Sequence, residues 1–270
     1  MIISVKDSNK YLYHYTSAGK AIDYILKSRT LRLSPYTGTN DPKERKGWLF
    51  DFGTNEGRDL GRYSRDEYSS WLSGEFKSKT LVTCLTRDTG PLSGNHVVDI
   101  FKRGYCKPRM WAQYADDHKG VCLVFLRECL NEKVNKQVGR RYPLLSGAVQ
   151  YVDRGVARPF EDQSYLINVD VLEAEGKEAY FARHLQTHYQ RLFFEKMTDW
   201  KDECEWRWVA FSGSAEPIDV KFGDALVGVV YGEDTSPEDR QKILELNSGK
   251  GIQHEGLKWK NCSPWYDWKW

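Results

Sequence analysis

The stretch from Tyr11 to Ser34, YLYHYTSAGKAIDYILKSRTLRLS, constrains the fold of this chain more than any other. Tyr11 to Tyr15 alternates, with Leu12 and His14 on one face and Tyr11, Tyr13 and Tyr15 on the other, the period of a strand. Thr16 and Ser17 are helix N-cap residues. Ala18, Ala21, Ile22, Ile25 and Leu26 then recur at helical spacing and leave one apolar stripe. From Thr30 to Ser34 alternation returns, with Leu31 and Leu33 toward a core and Arg32 and Ser34 away from it. A strand, a short helix and a second strand therefore gather a histidine, helix-start hydroxyls and an arginine into a small volume. Helix N-termini favour anions, and guanidinium grips phosphate through a planar fork. The local sequence alone favours a plainer role for His14, as a half-buried strand histidine satisfied by its neighbours.

The rest of the chain predicts one α+β domain over residues 1–270. Asn40-Asp41-Pro42 is a turn by its chemistry. Residues 51–79 are polar and predict a mobile segment or a peripheral helix around Arg65 to Phe76. Leu81 to Thr86 reads as a short buried strand, and residues 87–105 as a long peripheral loop. In MWAQYADDHKGVCLVF, Trp111, Tyr114 and Ala115 share a helix face, Gly120 fits a helix C′ position, and Val121 to Phe125 is a buried strand. Val149 to Val152 is a candidate strand, and residues 153–170 are irregular. A long helix is expected from about Val171 to Trp200, with Phe181, Leu185, Tyr189, Leu192 and Phe193 on its buried side. A strand over WKDECEWRWVA would put Glu203, Glu205 and Arg207 on one face. Leu226 to Tyr231 is a further buried strand, and Ser236 caps a short helix with Pro237 at its first position.

Composition narrows the function classes. The formal charge is +2, so there is no global pull toward nucleic acid or anionic membrane. No apolar run is long enough to span a bilayer, and the N-terminus has no signal-peptide core. The six cysteines include no C-x-x-C pair, and Cys84, Cys122 and Cys204 sit in apolar runs, which predicts reduced core thiols in a cytoplasmic protein. There is no G-x-G-x-x-G, P-loop or G-x-S-x-G, which disfavours Rossmann enzymes, nucleotide kinases and serine hydrolases. Aromatic residues make up 14%, enough to fill a core or to stack on planar ligands. The four tryptophans of the tail LKWKNCSPWYDWKW have little basic interleaving and predict packing rather than nucleic-acid stacking.

Three clusters could carry chemistry. His14 with Glu203 and Glu205 suits attack at a sugar carbon. Breaking an N-glycosidic bond develops oxocarbenium charge that a fixed carboxylate stabilises, and a second carboxylate can orient or deprotonate the acceptor. A solvated strand face with charged residues explains the same pattern equally well. His184 and His188 have i, i+4 spacing, but Leu185 stands where a zinc protease carries Glu, so no metal is expected. Asp116-Asp117-His118 reads as a polar helix end with His118 against the helix dipole.

Taken together, LYHYTS with its helix and LRLS, then NDP, MWAQYADDHKGVCLVF, WKDECEWRW and ALVGVVYG resemble a family of uncharacterised bacterial proteins that carry these blocks in this order. The resemblance covers most of residues 11–232, and that family is distantly similar to the ADP-ribosyltransferase fold, a mixed, split β-sheet with peripheral helices. The resemblance implies NAD as substrate, held by His14, with an aromatic such as Tyr36 or Tyr114 stacked on nicotinamide and Glu205 doing the chemistry. Glu203-Cys204-Glu205 resembles the E-x-E element of such enzymes, whereas Glu205-Trp206-Arg207 belongs to the uncharacterised family. Tyr15, Thr16, Ser17, Arg32, Ser34 and Arg207 would complete the NAD site, with pyrophosphate near Arg32, Ser34 and Ser17 and the acceptor positioned by Glu203. The implied activity is ADP-ribosyl transfer to a protein or nucleic acid, as a toxin or defence effector. NAD hydrolysis and a non-catalytic nucleotide- or nucleic-acid-sensing module are the alternatives.

Overall fold

The computed structural model describes residues 2–154, 162–261 and 263–267. Its centre is a ten-stranded sheet. In chain order the strands are β1 (Tyr11–Thr16), β2 (Thr30–Pro35), β3 (Thr80–Arg87), β4 (Val121–Leu126) and β5 (Leu144–Ala148). They continue as β6 (Glu205–Phe211), β7 (Ile218–Lys221), β8 (Leu226–Tyr231), β9 (Gln253–Lys260) and β10 (Ser263–Asp267). The order across the sheet is β7-β2-β3-β1-β4-β8-β9-β10, with β6 beside β3 and β5 beyond β6. All of its ladders are antiparallel except β8–β9. Parallel neighbours need a crossover, here the helix Pro237–Asn247 with Ser236 Oγ accepting from Asp239 N at 3.1 Å. The architecture is thus mixed α+β, as the alternation of strand and helix periods predicts.

The sheet divides at β3. One edge of β3 pairs with β6 from Thr80↔Phe211 to Thr86↔Glu205. The other edge is shared: β2 meets it at Leu81 and Val82, β1 at Thr86 and Arg87. Thr83, Cys84 and Leu85 lie between those two contacts, and there the sheet opens. The strand–helix–strand unit of residues 11–35 borders this opening through Tyr13, His14, Tyr15 and Lys20. Its helix starts as Ala18–Lys20 and continues as π-wound turns through Ala21–Leu26.

Both faces of β1 pack into apolar cores. Leu12 joins Leu33, Leu123, Phe125 and Trp208 on one face. Tyr13 and Tyr15 join Tyr105 and Trp111 on the other. A third core, with Phe50, Phe76, Phe193 and Val209, lies under the helices Arg65–Ser78 and Val169–Phe193. The peripheral helix expected near Arg65 is therefore packed, and Ser64 caps it by accepting from Glu67 N at 3.3 Å.

Several expected boundaries move. The long helix ends at Phe193, not near Trp200, and is broken at Gly176, where φ is +80°. Sheet-type bonds take over beyond it: Gln150 N donates to Phe194 O and Val152 N to Lys196 O, forming a two-residue parallel pair, Gln150–Tyr151 with Glu195–Lys196. The strand expected from Trp200 begins only at Glu205, because Thr198–Glu203 winds as a 3-10 helix and Cys204 is left-handed at φ +46°. The segment 87–105 is less a loop than a pinned excursion. It contains helical turns at His96–Asp99 and Ile100–Lys102, and the fully buried Asp88–Arg103 ion pair at 3.1 Å closes it. The Val149 to Val152 strand is shorter than expected, at Gln150–Tyr151.

Cys84, Cys106, Cys122, Cys129 and Cys204 carry free thiols; Cys262, Trp268 and Trp270 lie outside the described residues. Among the described residues no helix is long and apolar enough to cross a membrane.

Candidate functional site

The opening beside β3 is a cleft of about 450 Å³. Tyr13, His14 and Tyr15 of β1 and Cys84, Leu85 and Thr86 of β3 form one side; Asn40, Tyr114, Lys196, Glu203 and Glu205 form the other. His14, Tyr15, Lys20, Gln113 and Tyr114 also line an outer hollow of about 770 Å³ that reaches Thr16, Ser17, Arg32 and Ser34. Volumes of this size suit a small organic ligand.

His14 is half-buried in this cleft. Burial pushes its pKa down to about 4; the hydrogen bond to the Cys84 backbone works against that, and the charge of Lys20 adds to it. The imidazole is therefore neutral at pH 7 and serves as a hydrogen-bonding group rather than a cation.

The acidic side is a chain of buried ion pairs. Glu205 Oε1 faces Arg207 Nε at 2.6 Å and Oε2 faces Lys196 Nζ at 2.8 Å. Lys196 Nζ also meets Glu203 Oε2 at 2.9 Å, and Tyr114 Oη donates to Glu203 Oε1 at 2.8 Å. Behind them Arg207 reaches Glu44 Oε1 and the Phe193 carbonyl, each at 2.7 Å. Glu203 and Glu205 are 4% and 3% exposed, so these pairs are shielded from bulk water. Burial alone would raise the Glu205 pKa, but Arg207 and Lys196 outweigh it and hold this carboxyl well below the usual range. Burial likewise works to lower Lys196, and Glu205, Glu44 and Glu203 together keep it raised. The chain Glu44–Arg207–Glu205–Lys196–Glu203 sets three carboxyls against two cations, and Lys20, which also lines the cleft, adds a further positive charge.

The residues singled out in the sequence divide into those that line the cleft and those that do not. His14, Tyr15, Tyr114, Glu203 and Glu205 converge there. Glu203 does so from the 3-10 turn rather than from the strand. Of the two candidate stacking aromatics, Tyr114 lines the cleft and Tyr36 does not: Tyr36 is 1% exposed and packs on Phe193 at 5.1 Å. Arg207 supports Glu205 from behind and lines neither space. Arg32 and Ser34 lie in the outer hollow, where Arg32 Nε pairs with Asp219 Oδ1 at 2.8 Å. Ser17 Oγ is engaged in capping, accepting from Lys20 N at 3.3 Å.

Elsewhere, His184 Nε2 bonds the Ser164 carbonyl at 2.9 Å and His188 Nδ1 the Ser164 hydroxyl at 3.3 Å. Among the described residues no group of three or more His, Cys, Asp and Glu could hold a metal ion. Asp116, Asp117 and His118 are not a helix end but a left-handed turn with φ of 50°, 49° and 69°. The His118 ring stacks on Trp111 at 6.0 Å. Gly232 lets this turn sit close, since a Cβ there would come within 2.0 Å of His118 O.

Residues 110–208 match the model of a family described as Protein of unknown function (DUF2971). No curated protein and no solved structure matches the chain. The matched span takes in Tyr114, Lys196, Glu203, Glu205 and Arg207, the acidic side of the cleft, and leaves His14 outside it.

Sequence reasoning missed Lys196 and Glu44. Lys196 fell within the overextended helix, and Glu44 sits in a run, PKERKG, whose composition reads as solvated loop.

The histidines make stability pH-dependent. His14 and His184 both fall from 6.5 to about 4, burial being the main cause in each. The unfolded chain then binds more protons, so their contribution is complete above pH 6.5 and is lost as pH falls toward about 4. Urea midpoints measured across this window should drop steeply with acid, with up to about two protons taken up on unfolding. His14→Asn should remove about one of them; an unchanged slope would mean that His14 is not buried as described.

Proposed function

We propose that the cleft takes NAD as a substrate and that the protein is an NAD-dependent ADP-ribosyltransferase. The observation that carries this reading is the convergence of His14, Tyr114, Glu203 and Glu205 on one cleft, with both carboxylates held in buried ion pairs. The bond to break joins nicotinamide to ribose. Nicotinamide leaves as a neutral base with the bonding pair, and positive charge develops on the ribose. Glu205, held ionised by Arg207 and Lys196, stabilises that charge. Neutral His14 bonds ribose hydroxyls, and Lys20 and Arg32 in the outer hollow balance the pyrophosphate. Glu203 orients the acceptor, whose lone pair forms the new bond to the ribose carbon as its proton passes to Glu203.

One observation favours water as that acceptor. Glu203 and Glu205 are almost closed off, and a water reaches them more easily than a macromolecular side chain. NAD hydrolysis is therefore the second reading. Incubation with NAD labelled in its adenylate half, with and without cell lysate, separates the two. Nicotinamide release with label on protein or nucleic acid supports transfer, and release with label in free ADP-ribose supports hydrolysis. Binding without release would favour the sensing module, and no binding by calorimetry would end the NAD reading. In the same assay Arg32→Ala should weaken NAD binding by roughly tenfold, about one charge-assisted hydrogen bond. Unchanged affinity would remove Arg32 from the site.

A further inference from the structure

We propose that Lys196 is the positioning residue of the cleft: by bridging Glu203 and Glu205 it holds side by side two carboxylates that would otherwise share a proton. The proposal rests on reading the cleft as a ligand site, but its test needs no ligand. One ammonium meets an oxygen of each carboxylate, at 2.9 and 2.8 Å, so those oxygens lie within about 6 Å of each other in a nearly dry space. Like charges that close cannot both persist without a cation between them. The ring of Trp200 lies 5.2 Å from Nζ, covering the ammonium away from the carboxylates. Arg207 meets only Glu205 of this pair, through Nε, while its Nη1 serves Glu44 and the Phe193 carbonyl.

The charged and titratable groups around Lys196 come from six elements. Glu205 and Arg207 stand on β6, Glu203 on the 3-10 turn before it, and Glu44 on the short helix Pro42–Arg45. Tyr114 Oη donates to Glu203, Tyr151 Oη accepts from the Glu205 backbone N–H, and Cys84 faces Glu205 from β3. Taking Lys196 away leaves three carboxyls facing one cation.

The test is Lys196→Met, which keeps an apolar stem and removes the charge. One of the two carboxyls should then take up a proton near neutrality, in the range of about pH 6 to 8 known for crowded or buried acids. The folded variant then binds a proton that the unfolded chain does not, so its stability should fall as pH rises through that window. That sign is opposite to the one His14 and His184 give at lower pH. Carboxyl infrared spectra should show the same proton, and Lys196→Arg, which restores a cation, should abolish the new step. In Lys196→Met/Glu203→Gln the step should also vanish, because only one carboxylate remains. If Lys196→Met folds and loses stability equally at all pH values, Lys196 is merely structural and the proposal fails. If Lys196→Met does not fold, the double variant decides: folding restored by removing the competing carboxyl supports the proposal, and failure of both overturns it. Nicotinamide release, measured separately, tests the NAD reading.

Discussion

Glu205→Gln is expected to lower NAD turnover by roughly a hundredfold or more while changing NAD affinity by less than about threefold. Gln keeps the size of the side chain and one acceptor oxygen. It removes the charge, and the charge interacts more strongly with a ribosyl cation than with the ground state. The structure adds a control. With Gln at 205 the ion-pair chain has two carboxyls, Glu44 and Glu203, facing two cations, Lys196 and Arg207. The charge balance therefore improves, and the variant should fold. Its circular dichroism should match wild type, which separates lost chemistry from lost structure. Glu203→Gln should differ: transfer to an acceptor should fall more than NAD hydrolysis, because its oxygens face Tyr114 and Lys196 rather than Arg207. Near wild-type nicotinamide release by Glu205→Gln would end its assignment as the stabilising carboxylate. Equal losses of transfer and hydrolysis in Glu203→Gln would end the acceptor role.

What the sequence made legible follows the range over which each signal acts. Alternation and helical spacing are local, and they correctly gave β1, β2, β4, β8 and the Pro237–Asn247 helix. The strand, helix and strand of residues 11–35 were equally local, but His14 was singled out as a site residue by the family resemblance, since its local sequence favoured a plainer role. Strand pairing is not local. Nothing in β3 alone says that two strands share one of its edges at opposite ends, yet that sharing opens the cleft. Helix ends were misjudged for the same reason: Phe193 stops its helix because Gln150 and Val152 pair with the chain just beyond it, far away in sequence. Glu203 was credited to a strand because alternation cannot reveal a left-handed residue at Cys204. Lys196 and Arg207 show the limit on side chains. A lysine in a polar run reads as solvated and an arginine near NAD-site residues reads as a ligand contact; burial reverses both readings.

Arg207→Met should be the most destabilising single substitution in the cleft, at about 3–5 kcal/mol. The guanidinium is 1% exposed and serves Glu205, Glu44 and the Phe193 carbonyl at once. Removing it strands the Glu44 carboxylate and leaves Glu205 with Lys196 alone, and desolvated charge without a partner is what makes such losses large. At about 2–4 °C for each kcal/mol in a chain of this size, the melting temperature should fall by roughly ten degrees. Arg207→Lys should recover only part of the loss, since one ammonium cannot reproduce diverging Nε and Nη contacts. Glu44→Leu/Arg207→Met should recover more, because it removes a stranded charge and leaves Glu205 with Lys196. The loss should also shrink in acid. Without Arg207 the Glu205 carboxyl loses the main charge that holds its pKa down against burial, so lowering the pH relieves the variant while it destabilises wild type through His14 and His184. Melting curves of wild type and Arg207→Met at pH 5 and pH 8 measure this directly. A penalty below about 1 kcal/mol, or one that does not change with pH, would mean that the buried chain of charges is not what braces β6 against the cleft.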